Sequence, residues 1–118
     1  MKIGVPSEIK AQESRVGLTP SSVQELTNHG HEVLVQDNAG FGAGFENEDY
    51  QKAGAQITSA AGDVFNDSDM IVKVKEPQSE EVSMLRENQL LFTYLHLSAA
   101  PELTKGLVDS KSICIAYQ

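Results

Sequence analysis

Short apolar runs alternate with amphipathic stretches along nearly the whole chain, and each change of period marks an element. Lys2 to Val5 reads as a first strand followed by a polar loop. Thr19-Pro20-Ser21-Ser22 then predicts a helix start: a threonine hydroxyl can accept from a first-turn amide, and proline at the first helical position has no N–H to leave unpaired. Val23 and Leu26 form the apolar face of that helix and Gly30 its stop. Glu32 to Val35 follows as a second strand, apolar enough to be buried on both faces as parallel strands tend to be. One βαβ unit results.

The same alternation continues. Glu46 to Ala53 reads as a short helix closed by Gly54, then comes an extended piece near Gln56 and Ile57, then a helix from about Ser59 to Phe65. Met70 to Val74 is the next strand. Ser79 is placed to cap a helix whose first turn holds Glu80 and Glu81, where negative charge suits the helix dipole, with Val82 and Leu85 facing inward. Gln89 to Tyr94 is strand again, Pro101 opens a helix carrying Leu103 and Leu107, and Ser112 to Tyr117 closes the pattern as a strand. Because βαβ crossovers are right-handed and must cover the sheet, the expected class is α/β, a mostly parallel sheet with helices on both faces. No internal repeat, linker or low-complexity segment interrupts it. The chain stops at Gln118 directly after a strand, which reads as a piece of a longer molecule.

Composition narrows the function. With 118 residues, 40% of them hydrophobic, the chain can close around one modest core and no second domain. A net charge of −8 without a cluster of Lys and Arg speaks against a nucleic-acid partner. Apolar runs such as Leu90 to Phe92 and Ile113 to Ala116 fall far short of a membrane span, and the opening Met-Lys-Ile-Gly-Val-Pro lacks the apolar stretch of a signal peptide, so a soluble cytoplasmic protein with no membrane partner is expected. The single cysteine, Cys114, lies in an apolar run and reads as a buried small hydrophobe, not a nucleophile.

Four features could carry chemistry. Ala39-Gly40-Phe41-Gly42-Ala43-Gly44-Phe45 follows a strand and precedes a helix, like a dinucleotide fingerprint, but Phe45 stands where the third glycine belongs. The helix that would receive a pyrophosphate also begins with Glu46, Glu48 and Asp49, whose charges would repel it, so a flexible glycine-rich connection is the better reading. Arg15 lies in the loop Glu8 to Leu18 beyond the first strand, where α/β sheets hold ligands, and a guanidinium there can grip a carboxylate through two parallel hydrogen bonds; by itself it reads as a solvated loop arginine, as most loop arginines are.

Lys73-Val74-Lys75-Glu76-Pro77 ends a strand, and alternation puts both lysines on one side with Val72 and Val74 on the other. Either they snorkel to water, or one is partly buried beside another cation, with a lowered pKa that suits a carbonyl-polarising or proton-exchanging group. His96 in Tyr94-Leu95-His96-Leu97 follows a strand among apolar residues, as a core histidine does, and also as an acid and base at neutral pH would. Arg15, Lys75 and His96 all fall at carboxyl ends of expected strands, so a parallel sheet would bring a carboxylate grip, a carbonyl polariser and a proton shuttle to one rim, a plausible site for an oxo acid. His29 and His31 flank a helix stop and read as surface residues. No metal site is assigned.

These residues sit in strings that resemble the alanine dehydrogenase family from end to end: Met-Lys-Ile-Gly-Val-Pro, Glu13-Ser14-Arg15-Val16, Leu18-Thr19-Pro20, Gly30-His31-Glu32-Val33-Leu34-Val35, Asp49-Tyr50, Ala53-Gly54-Ala55, Val72-Lys73-Val74-Lys75-Glu76-Pro77 and Leu91-Phe92-Thr93-Tyr94-Leu95-His96-Leu97. The resemblance implies that residues 1–118 form the amino-terminal part of a Rossmann-like substrate domain without a dinucleotide fingerprint. It implies the reversible, NAD-dependent oxidative deamination of L-alanine to pyruvate and ammonium, with Arg15 and Lys75 binding substrate and His96 acting as acid and base. NAD would be bound by a domain beyond Gln118, the parent would be a homohexamer, and the chain alone would catalyse nothing. At Gln118 the family pattern leads one to expect Glu. The NAD-binding component of proton-translocating nicotinamide nucleotide transhydrogenase is similar in its opening segments, but should lack the Tyr-Leu-His string. A module that keeps the fold as scaffold without the chemistry would have no need of all three polar residues.

Overall fold

The computed structural model describes residues 1–94 and 101–116. In chain order the elements are β1 (Lys2–Val5), α1 (Pro20–Asn28), β2 (Glu32–Gln36), a 3-10 turn (Phe41–Ala43), α2 (Asn47–Lys52), β3 (Gln56–Thr58), α3 (Ala61–Asp67), β4 (Met70–Val72), α4 (Ser79–Val82), β5 (Leu90–Thr93), α5 (Pro101–Ser110) and β6 (Ile113–Ala116). The strands form one sheet in the order β3-β2-β1-β4-β5-β6, every pair parallel. The α/β class, the parallel sheet and the helices on both faces are as expected from the alternation.

Local chemistry accounts for most boundaries. The Thr19 hydroxyl accepts from the Ser22 amide at the start of α1, Pro20 is at its first turn, and Gly30 leaves the helix at φ +88°. Glu46 and Asp49 form a reciprocal capping box on α2, and Gly54 at φ +101° ends it. In the fourth helix Gln78, not Ser79, is the cap: its amide donates to Glu81 Oε1 at 2.9 Å, and α4 begins one residue earlier than a Ser79 cap would start it, at Ser79 itself. The third helix starts at Ala61, two residues past its expected start, with no side chain capping it.

Two apolar clusters sandwich the sheet. On one side Ile3, Val5, Val33, Val35 and Val72 meet Val23 of α1 and Tyr50 of α2. On the other Ile71 and Leu91 meet Val64 and Phe65 of α3, Leu85 after α4 and Leu107 of α5. Each fully buried Val, Leu, Ile or Phe contributes about 1.5–3 kcal/mol by leaving water. Gly4 sits between the layers: a Cβ there would lie 2.2 Å from Ser68 Oγ and 2.7 Å from Val64 Cγ1, so α3 approaches β1 as closely as only a glycine permits. β2 is buried on one face and only half-buried at Leu34 and Gln36 on the other. Cys114 is half-buried at the edge of the second cluster, because β6 is the sheet's edge strand.

Strand order locates the functional end. The chain winds outward from β1 to β2 and β3, then returns to place β4 on the other side of β1. Loops leaving β1 and β4 therefore diverge, and a crevice opens at their carboxyl ends, the place where ligands of open α/β sheets bind.

Candidate functional site

The long loop between β1 and α1 is tied down onto the end of β4. Gly17 makes the approach possible, since a Cβ there would lie 2.4 Å from the Val72 carbonyl oxygen. The Glu8 carboxylate accepts from the Val74 amide (Oε2, 3.0 Å), the Lys75 amide (Oε1, 3.0 Å) and the Lys73 ammonium (Oε1, 3.1 Å). Lys10 pairs with Glu76, the Ser7 amide donates to Gln36 Oε1 at 2.8 Å, and the buried Tyr50 hydroxyl donates to the Leu18 carbonyl at 2.8 Å. The loop has no regular structure and yet is fastened to β2, β4 and α2.

Those bonds explain why β4 ends at Val72 and not at Val74. Beyond Val72 the amides of 74 and 75 turn to the Glu8 carboxylate, and the two lysines part company. Lys73 is 1% exposed, its Nζ held 3.1 Å from Glu8 and 3.0 Å from Glu81, whereas Lys75 is half-buried at the strand exit. Neither alternative for the pair, both lysines at the water or one partly buried beside another cation, describes Lys73. Lys73 is not a cation beside another cation; it is the centre of a buried ion triad. Burial pushes the Glu81 carboxyl up from its ordinary value, against the pull of the Lys73 ammonium.

Arg15 stands at the mouth of an open cleft of ≈ 330 Å³. Its walls are Arg15, Val16 and Thr19 from the β1–α1 loop, Ala43 and Phe45 from the glycine-rich segment, Val74 after β4 and Tyr94 after β5. The cleft thus lies over the crevice that strand order creates. Arg15 donates to Glu13 through Nε (2.9 Å) and Nη2 (2.8 Å), and its own amide donates to the same carboxylate at 2.9 Å. This side-on fork orients the guanidinium and, among the described residues, leaves the N–H donors of its Nη1 end for a further acceptor. The Glu13 carboxyl is held down at about 2, first by the Arg15 hydrogen bond, with the Lys75 charge adding to the effect. Arg15 and Lys75 therefore both border Glu13. The Lys75 peptide is fixed on its other side by the Thr93 hydroxyl, which donates to the Lys75 carbonyl at 2.8 Å.

The glycine-rich segment is a packed wall, not a flexible connection. A Cβ on Gly42 would lie 2.9 Å from the Ser14 carbonyl oxygen, and one on Gly40 would lie 2.6 Å from the Tyr50 ring, while Gly44 turns the chain at φ +90°. Gly42 in particular lets this segment close over the residue that precedes Arg15. It follows β2, whereas the phosphate-binding turn of a dinucleotide fold follows β1.

His96 lies outside the described residues, as does Gln118. Of the other histidines, the His29 side chain is 67% exposed, as expected, but the surface reading of His31 is corrected: it is half-buried, and its shielded Nδ1 has no hydrogen-bond partner among the described residues. Sequence reasoning missed Glu8 and Glu81, which look like ordinary solvated carboxylates until β1 and β4 are known to be neighbours.

The family described as "Alanine dehydrogenase/PNT, N-terminal domain" matches residues 4–118. An alanine dehydrogenase of Halomonas elongata is 54% identical over 118 residues, 100% of this chain and 32% of its own length. One from Staphylococcus epidermidis is 53% identical over the same span, again 32% of its length. A solved L-alanine dehydrogenase superposes with TM-score 0.97 at 53% identity, covering 99% of this chain and 32% of that one. A transhydrogenase from Sinorhizobium meliloti superposes with TM-score 0.91 at 24% identity, over 98% of this chain and 34% of its own, a likeness of fold alone. The chain spans about a third of the length of the curated relatives it matches.

Proposed function

Because the chain belongs to the alanine dehydrogenase/PNT N-terminal domain family, we propose that it is the amino-terminal, substrate-holding part of an NAD-dependent alanine dehydrogenase. The whole protein interconverts L-alanine with pyruvate and ammonium. The observation that carries this reading is Arg15 at the switch-point cleft, with its Glu13-anchored guanidinium offering a second donor edge. A planar carboxylate is the complement of that edge. The neighbouring walls at Val16, Ala43, Phe45 and Val74 are apolar and suit a small apolar substituent such as a methyl group.

In this reading Arg15 binds the carboxylate and Lys75 polarises the carbonyl oxygen or stabilises the charge that develops on it. His96 acts as acid and base on the nitrogen and oxygen borne by the reacting carbon. The β1–α1 turn, where a dinucleotide fold presents glycines to a pyrophosphate, has no glycine before Gly17, and that one is packed against the Val72 carbonyl. NAD therefore does not fit this turn. It is assigned to a segment outside this chain, and the 118-residue chain alone turns nothing over. The whole protein is read as a cytoplasmic homohexamer, as the family resemblance implies.

The deciding experiment is NADH oxidation by the full-length protein with pyruvate and ammonium, beside His96→Ala. Consumption that needs both substrates and disappears in the variant supports the reading. An intact protein that binds NAD tightly but consumes nothing moves the chain to the transhydrogenase side of its family.

A further inference from the structure

Three charged side chains are buried beside the cleft without facing it. Lys73 is 1% exposed, and its partners Glu8 and Glu81 are 1% and 2% exposed. Burying an ion triad gains little stability over an apolar cluster of the same volume, because desolvation offsets the attraction. A role in positioning explains its geometry better. Glu8 does more than neutralise Lys73: its two oxygens also take the amides of Val74 and Lys75, both at 3.0 Å. The Lys75 carbonyl takes the hydroxyl of fully buried Thr93 at 2.8 Å. The peptide units flanking Lys75 are thus clamped from the β1–α1 loop on one side and from β5 on the other. That same loop carries Arg15, seven residues beyond Glu8 in the sequence.

We propose that Glu8 is a positioning residue that sets the separation of Arg15 from Lys75, so that the two cations meet the carboxylate and the carbonyl of one 2-oxo acid. This rests on the reading of the site given above. Without the Glu8 carboxylate the loop and the β4 exit are joined through Gly17 and the Lys10–Glu76 pair, but the amides of residues 74 and 75 lose their bonds to the loop that carries Arg15. Glu81 provides the internal control. It pairs with the same lysine at 3.0 Å and accepts from the Gln78 amide at 2.9 Å, but bonds neither amide at 74 and 75.

The test uses the full-length protein and pyruvate, with affinity measured by calorimetry and KM and kcat by NADH oxidation. Three variants are compared with wild type: Glu8→Gln, Glu81→Gln and the double variant Glu8→Gln/Lys73→Met, which removes the ammonium that Glu8→Gln leaves poorly compensated and so reads the same effect if the single variant fails to fold. Glu8→Gln and the double variant should weaken pyruvate about tenfold, about 1.4 kcal/mol, and raise its KM while the KM for NADH stays unchanged. Glu81→Gln should lower the thermal midpoint yet leave pyruvate affinity within about twofold of wild type. Equal weakening in the Glu8 and Glu81 variants, or no weakening in either, overturns the positioning role while leaving the site's assignment intact. A wild-type protein that binds no pyruvate overturns that assignment, and this proposal with it.

Discussion

Gly17→Ala isolates the contact that brings the Arg15 loop onto β4. The added methyl would lie 2.4 Å from the Val72 carbonyl oxygen and 2.9 Å from its carbon, where ordinary van der Waals contact begins at 3.4 Å. The obstacle is backbone at the end of a central strand that pairs with both β1 and β5, so it cannot swing aside as a side-chain tip would. The loop must lift by about 1 Å instead, an overpacking cost of about 1–3 kcal/mol. Arg15 is two residues away and moves with it, and a misplacement of about 1 Å in a positioning group can cost up to about a hundredfold in rate. Gly62→Ala makes the same chemical change in α3, where a Cβ would meet nothing within 4 Å, and should stabilise by up to about 1 kcal/mol through helix propensity alone. Denaturation midpoints of the full-length protein with each variant, read beside pyruvate affinity, check both signs. Should Gly17→Ala prove as stable as wild type and bind pyruvate equally well, the loop is not held by this contact and the account of Arg15's placement fails.

Two other perturbations follow from the same geometry. The Glu13 carboxyl, held at about 2 by Arg15 against an ordinary 4.5, should return toward the ordinary value in Arg15→Ala, as carboxyl NMR titration can show. Because its folded pKa is depressed, its contribution to stability is complete above about pH 4.5 and is lost as pH falls through about 2, so the acid limb of the stability profile should be flatter in the variant. Tyr50→Phe removes the hydroxyl that donates to the Leu18 carbonyl and should destabilise by about 1–3 kcal/mol in equilibrium unfolding. The wild-type phenol, pushed up to about 12 first by burial and then by the Asp49 charge, should also resist ionisation, so its stabilising effect disappears only as pH rises from about 10 to about 12.

What could be read in the sequence was local. The 3.6-residue and two-residue periods, the Thr19-Pro20 start and the glycines at 30 and 54 act within a few residues of themselves, and the elements they imply are present. What could not be read depends on pairs far apart in the chain. Glu8 and Lys73 are separated by 65 positions, and no property of either string says that one neutralises the other. The strand alternation of Met70 to Val74 was a fair guide up to Val72, but a carboxylate from the first loop competes for the amides beyond it and ends the strand. The glycine-rich segment was legible as a non-fingerprint from Phe45 alone. Its actual task, letting the chain pass within van der Waals distance of Ser14 and Tyr50, required knowing which side chains it meets.

The two lysines of one pentapeptide show why a site is harder to read than a fold. Alternation correctly separates a strand's faces as long as the ladder continues, but the functional end of a parallel strand is where the ladder stops. Past Val72 the Lys73 amide still donates to the Phe92 carbonyl at 3.0 Å, and from residue 74 on the amides turn to Glu8. Lys73 is drawn into the interior, where two carboxylates offset its desolvation, and Lys75 is left half-buried at the rim near Glu13. Two residues of the same type, two positions apart, thus take different settings, one buried within the scaffold and the other half-buried at the strand exit, and the carboxylate that divides them comes from the loop that carries Arg15.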